Sequence, residues 1–129
     1  MKALKNEHNV LLISHYNFIT GENRFMNKKI KTPAVDHLLD AILCLESKEE
    51  CYNFFEDLCT VNELLSLSQR FEVATMLREH KTYLEIAEKT GASTATISRV
   101  NRSLNYGSDG YELIFERLAA LQQQREDQK

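Results

Sequence analysis

Between Pro33 and Gly91 the chain runs for 57 consecutive residues without a glycine or a proline. These two residues are the strongest local breakers of regular structure. A stretch this long without either is not a series of short strands joined by tight turns, and it holds no glycine-rich loop of the kind that cradles phosphate. The whole chain of 129 residues has four glycines and one proline, where average usage gives roughly nine and six. This scarcity predicts an all-α domain, and the length suits one domain with room for a tail.

Helix-start signals place the elements. Thr32-Pro33 offers a cap and a first-turn proline, and Val35, Leu38, Leu39, Ile42, Leu43 and Leu45 then keep a helical period. Ser47-Lys48-Glu49-Glu50 reads as a capping box ahead of a helix carrying Cys51, Phe54, Phe55, Leu58 and Cys59 on one face. Thr60-Val61-Asn62-Glu63 repeats the box and opens a longer helix. Its apolar residues (Leu64, Leu65, Leu67, Phe71, Val73, Ala74, Met76, Leu77) are too many for one stripe, which marks a helix central to a core or a dimer. Thr82-Tyr83-Leu84-Glu85 is a third box, before a short helix that stops at Gly91. The next helix runs from Thr94 to about Asn105, Gly107 and Gly110 break it, and a final amphipathic helix follows from Tyr111. Six helices account for residues 33–124. Residues 1–31 read as a poorly structured N-terminal extension, with Met26 a natural start for the folded part, and residues 125–129 as a solvated tail.

The informative stretch is Tyr83 to Val100. Counting Tyr83 as one, Ile86 falls at four, Ala87 at five, Gly91 at nine, Ala92 at ten, Ile97 at fifteen and Val100 at eighteen. This is the spacing of a helix-turn-helix. Two helices crossing steeply need a small residue where they touch (Ala87), a turn residue tolerant of positive φ (Gly91) and apolar residues facing the shared core (Ile86, Ile97, Val100). The second helix then offers Thr94, Ala95, Thr96, Ser98, Arg99 and Arg102 to solvent, with Asn105 at its far end. Short hydroxyls, an alanine and two arginines can enter a major groove about 12 Å wide and meet base edges, thymine methyls or phosphates. The N–H groups at the helix start, near Ser93 and Thr94, add a phosphate site. The plainer reading of the same residues is a helical hairpin in a bundle, with its Ser and Thr serving as caps.

Gly91-Ala92-Ser93-Thr94-Ala95-Thr96-Ile97-Ser98-Arg99, continuing to Ser103-Leu104, resembles the Trp repressor family, in which the stretch reads G-A-x-x-A-T-I-[ST]-R followed by a Ser-Leu pair. Within it the chain looks most like the YerC/YecD subgroup of Firmicutes. The resemblance covers about residues 34–124. It implies six helices per subunit and an intertwined homodimer in which the early helices and the last one cross between chains. It also implies that Thr94, Ala95, Thr96 and Ser98 face DNA. Arg99 matches an arginine that stacks on the indole of the family's corepressor. The second sandwiching arginine of that pocket falls on Gln69, with Arg70 next along the chain and about 100° around the helix. Arg99, Gln69 and Arg70 therefore mark the candidate effector pocket. Val100 stands where the family has a glycine and crowds that pocket, while the basic positions of the unit's first helix fall on Leu84 and Ala87. These departures argue against tryptophan as corepressor and for a different DNA sequence being read.

Charge fits this reading only when placed along the chain. Sixteen Lys and Arg against 19 Asp and Glu give −3. Residues 32–63 hold one base and eight acids, whereas residues 64–105 hold six bases and four acids. Acid is concentrated away from the helix-turn-helix, which can still meet phosphate. Cys44, Cys51 and Cys59 form no paired C-x-x-C and have no histidine close behind them, so they read as buried core thiols in a reducing cytoplasm rather than as a disulfide framework or a metal site. Val10–Ile19 is interrupted by His15 and Asn17, and reads as neither an export signal nor a membrane span. Neither paired carboxylates nor a nucleophile–histidine set emerges, and no enzyme, metal or cofactor is expected. The expectation is a homodimeric transcriptional regulator, a repressor, binding double-stranded DNA at a near-palindromic site. The competing expectation is a helical dimer that binds protein without DNA affinity, motivated by the acidic early helices and the absence of base at Leu84 and Ala87.

Overall fold

The computed structural model describes residues 29–129. The extension expected over residues 1–31 therefore lies almost wholly outside the described residues, as does the stretch from Val10 to Ile19. Six α-helices follow one another: α1 (Pro33–Leu43), α2 (Lys48–Leu58), α3 (Val61–Arg78), α4 (Tyr83–Thr90), α5 (Thr94–Tyr106) and α6 (Gly110–Asp127). No strand occurs among the described residues.

Most starts follow the sequence signals. Thr32 Oγ1 accepts the Val35 N–H at 3.2 Å ahead of Pro33. At α3 the box closes both ways, the Glu63 carboxylate accepting the Thr60 N–H at 2.8 Å and Thr60 Oγ1 accepting the Glu63 N–H at 3.2 Å. At α2 the box is only half formed. Ser47 Oγ caps the Glu50 N–H, but the Glu50 carboxylate reaches past it to the Glu46 N–H at 2.7 Å. At the far end Gly110 does not break a helix but begins α6, which continues past residue 124 to Asp127 as an exposed helical end.

The end of α3 is a finding the sequence did not announce. The Lys81 N–H donates to Met76 O and the His80 N–H to Leu77 O, both at 3.0 Å, while His80 takes φ +60°. This is a Schellman closure with a histidine in the left-handed position usually held by glycine.

The core lies where α3, α4 and α5 pack on one another. Val73, Ala74, Ile86 and Ile97 are fully buried, and Val100, Ala92, Met76 and Phe115 nearly so. Burying each large side chain contributes roughly 1.5–3 kcal/mol relative to leaving it in water. Phe115 brings α6 into this core. Its ring stacks at 5.6 Å from Phe71 and 6.2 Å from Tyr111, and the Arg78 guanidinium lies 4.8 Å above it while pairing with Glu112 at 3.1 Å.

The first two helices behave differently, for neither α1 nor α2 buries a residue within the chain. The expectation of buried core thiols is corrected accordingly: Cys44 is exposed, and Cys51 and Cys59 are half-buried. Among the described residues, the apolar side chains of these two helices are at most half-buried.

Candidate nucleic-acid interface

The unit formed by α4, the turn and α5 is built outward from its caps. Glu85 accepts the Thr82 N–H at 2.7 Å and the Thr82 hydroxyl at 3.0 Å, while Thr82 Oγ1 accepts the Glu85 N–H at 3.2 Å. Those bonds, the backbone one first, with a smaller contribution from Lys81, hold the Glu85 carboxyl below its usual range. The helix stops at Gly91, which takes φ +70° and donates its N–H to Ala87 O at 2.9 Å. That left-handed turn redirects the chain so that Ala92 is buried and Ser93 caps α5, its Oγ accepting the Thr96 N–H at 3.2 Å.

The expected inward residues are the ones that face in. Ile86, Ile97 and Val100 are 0–1% exposed, and Ala87 is half-buried at the crossing. On the outward side Ser93, Thr94, Ala95, Ser98, Arg99, Arg102 and Asn105 are exposed. Thr96 departs from them: it is half-buried, with its hydroxyl 3.0 Å from that of Ser93. Asn105 is exposed but tied to the preceding turn, donating to Asn101 O at 2.8 Å and Asn101 Oδ1 at 3.0 Å.

The helix start carries an electrostatic signature. Each of the other five helices has an acidic residue in its first turn, and α5 has none. The partial positive charge of a helix N-terminus is therefore met by the protein's own carboxylate everywhere except where the exposed hydroxyls and arginines lie. An anion arriving there finds free N–H groups and no competing acid.

Of the three candidate pocket residues, Gln69 is half-buried and its Nε2 donates to Thr90 O at 3.0 Å, whereas Arg70 and Arg99 are exposed. Tyr106 is 87% exposed on the last turn of α5. Four residues after Arg102, it shares one side of the helix with that arginine. Among the described residues no group of His, Cys, Asp and Glu could hold a metal ion, and no helix is long and apolar enough to cross a membrane.

Six helices with a left-handed glycine turn between a capped short helix and an outward-facing one define a helix-turn-helix protein. Residues 33–119 match the family described as Trp repressor protein. YerC, an uncharacterized protein of Bacillus subtilis (strain 168), is 58% identical over 90 residues, covering 70% of this chain and 86% of that protein. Two solved structures are similar as well. One is a TrpR-like protein from Eubacterium eligens ATCC 27750 (73% identity, TM-score 0.70, 72% of this chain and 96% of that one). The other is a candidate Trp repressor from Staphylococcus aureus (54% identity, TM-score 0.70, 74% of this chain and 96% of that one). The chain belongs to the Trp repressor family, whose members are regulators rather than enzymes.

Proposed function

We propose that this chain is a sequence-specific, double-stranded DNA-binding regulator of transcription, a repressor, acting in the cytoplasm as a homodimer on a near-palindromic operator. The observation that carries the reading is α5: a helix anchored by Ile97 and Val100, presenting hydroxyls and arginines outward, with an N-terminus free of acid. Thr94, Ala95 and Ser98 are suited to base edges and thymine methyls. The N–H groups near Ser93 and Thr94 are suited to phosphate. Arg99, Arg102 and Asn105 extend the contact along the groove, and Thr96 acts through the Ser93 hydroxyl that it meets.

The dimer reading is supported by apolar surface among the described residues. Leu39, Leu43, Leu58, Leu65 and Leu67 are between 47% and 60% exposed, and Leu118 and Leu121 of α6 are 40% and 50% exposed. Apolar surface on this scale, running over α1, α2, α3 and α6, suits burial against a second copy. Two-fold symmetry then spaces the half-sites about one helical turn apart.

Selection from a library of random duplexes tests the reading, with an enriched near-palindrome as the expected outcome. Arg102→Ala should weaken binding to that duplex about tenfold, in line with about 1–3 kcal/mol for a good arginine contact. If Arg102→Ala and Thr96→Ala both leave affinity unchanged, the assigned side of α5 is wrong. One observation favours the protein-binding alternative: Leu84, at a position where the resemblance expects base, is 70% exposed. Failure to enrich any duplex at low salt would support that alternative.

A further inference from the structure

Among the described residues, a single side-chain hydrogen bond joins α3 to the helix-turn-helix: Gln69 Nε2 donates to Thr90 O at 3.0 Å, across 21 residues of sequence. Its acceptor belongs to the last residue of α4, whose terminal carbonyls lack intrahelical partners. Thr90 is also the hinge of the turn. Its hydroxyl donates to Ile86 O at 2.7 Å and accepts the Ala92 N–H at 3.2 Å. The Gln69 amide lies against the turn itself, 3.9 Å from where a Cβ on Gly91 would stand. Beside this strut Val73 and Ala74 of α3 and Ile97 and Val100 of α5 are buried to within 1%.

We infer that Gln69 is a positioning residue: its bond to Thr90 O fixes the turn, and through it α5, on the core in the orientation that engages DNA. The inference rests on the DNA-binding reading above. The turn's carbonyl takes its donor from within the chain, and Ile97 and Val100, which anchor α5, are buried against the same core.

The test uses the full chain, and wild type is expected to bind the enriched duplex. Gln69→Leu keeps the bulk and removes the donor. It should lose about fivefold or more in DNA affinity, the order expected for one hydrogen bond. Amide exchange at Gly91–Thr94 in the free protein should quicken by a similar factor while exchange at Val73–Met76 changes little. Gln69→Ser, shorter and polar, serves if the leucine variant does not fold. Unchanged affinity and unchanged exchange in the variant would overturn the strut. If wild type binds no duplex, the DNA-binding reading falls, and exchange in the free protein separates that failure from failure of the strut.

Discussion

A Cβ at Gly107 would collide with the carbonyl of Ser103, one turn back along α5. Only glycine ends the helix there without displacing backbone, so Gly107→Ala is expected to destabilise the fold by about 1–3 kcal/mol, read from denaturant unfolding. His80 poses the opposite case. It closes α3 in the left-handed region at φ +60°, a conformation that costs a side-chain-bearing residue roughly 1–2 kcal/mol. His80→Gly removes that strain at some entropic cost, and a net gain of about 0.5–1 kcal/mol in the same unfolding measurement is expected. Both positions were visible in the sequence as residue types. What they must avoid or tolerate depends on backbone angles that no single residue reveals.

At the scale of elements, two helix starts separate stability from function. In α4 the Thr82 bonds hold the Glu85 carboxyl below its usual range. A carboxylate favoured by folding contributes stability above its unfolded pKa and loses it as the pH falls through the lower, folded value. The protection factors of the α4 amides, exchange rates corrected for the intrinsic effect of pH, should therefore fall on acidification, and Glu85→Gln should flatten that response. In α5 the first turn has no acid. Ala95→Glu is expected to stabilise the helix by about 0.3–1 kcal/mol through the dipole, yet to weaken DNA binding by setting a carboxylate against phosphate. Thermal unfolding and a binding titration on the same variant check the two signs. A variant that is both more stable and equally tight in binding would remove the functional meaning of the acid-free start.

For the whole molecule, the unburied α1 and α2 are the decisive feature. Leu43 is 60% exposed in the single chain, and a change at such a site is ordinarily within about 0.5 kcal/mol. In a homodimer that covers α1, Leu43→Glu instead places a charge in an apolar interface. The expected outcome is a shift to monomer in sedimentation velocity and a wild-type unfolding temperature that rises with protein concentration while the variant's is lower. Equal stability and an unchanged sedimentation coefficient would place Leu43 outside the interface. The thiols at Cys44, Cys51 and Cys59 share this dependence, since their own chain leaves them exposed or half-buried.

By itself the sequence determined the helical class, because 57 residues without glycine or proline admit little else. It also determined most helix starts and the helix-turn-helix, because caps and core spacing act over three to eighteen residues and are written locally. The two-way boxes at Thr60 and Thr82 and the burial of Ile86, Ile97 and Val100 follow that local code. Tertiary structure decided the rest. The Gln69 bond to Thr90 depends on where a second segment arrives, while the redirected carboxylate of Glu50 and the histidine closure at His80 turn on the backbone path that each helix end takes once folded. The fate of the three cysteines depends on packing as well, since an amphipathic helix announces that it has an apolar face but not whether its own chain will cover it.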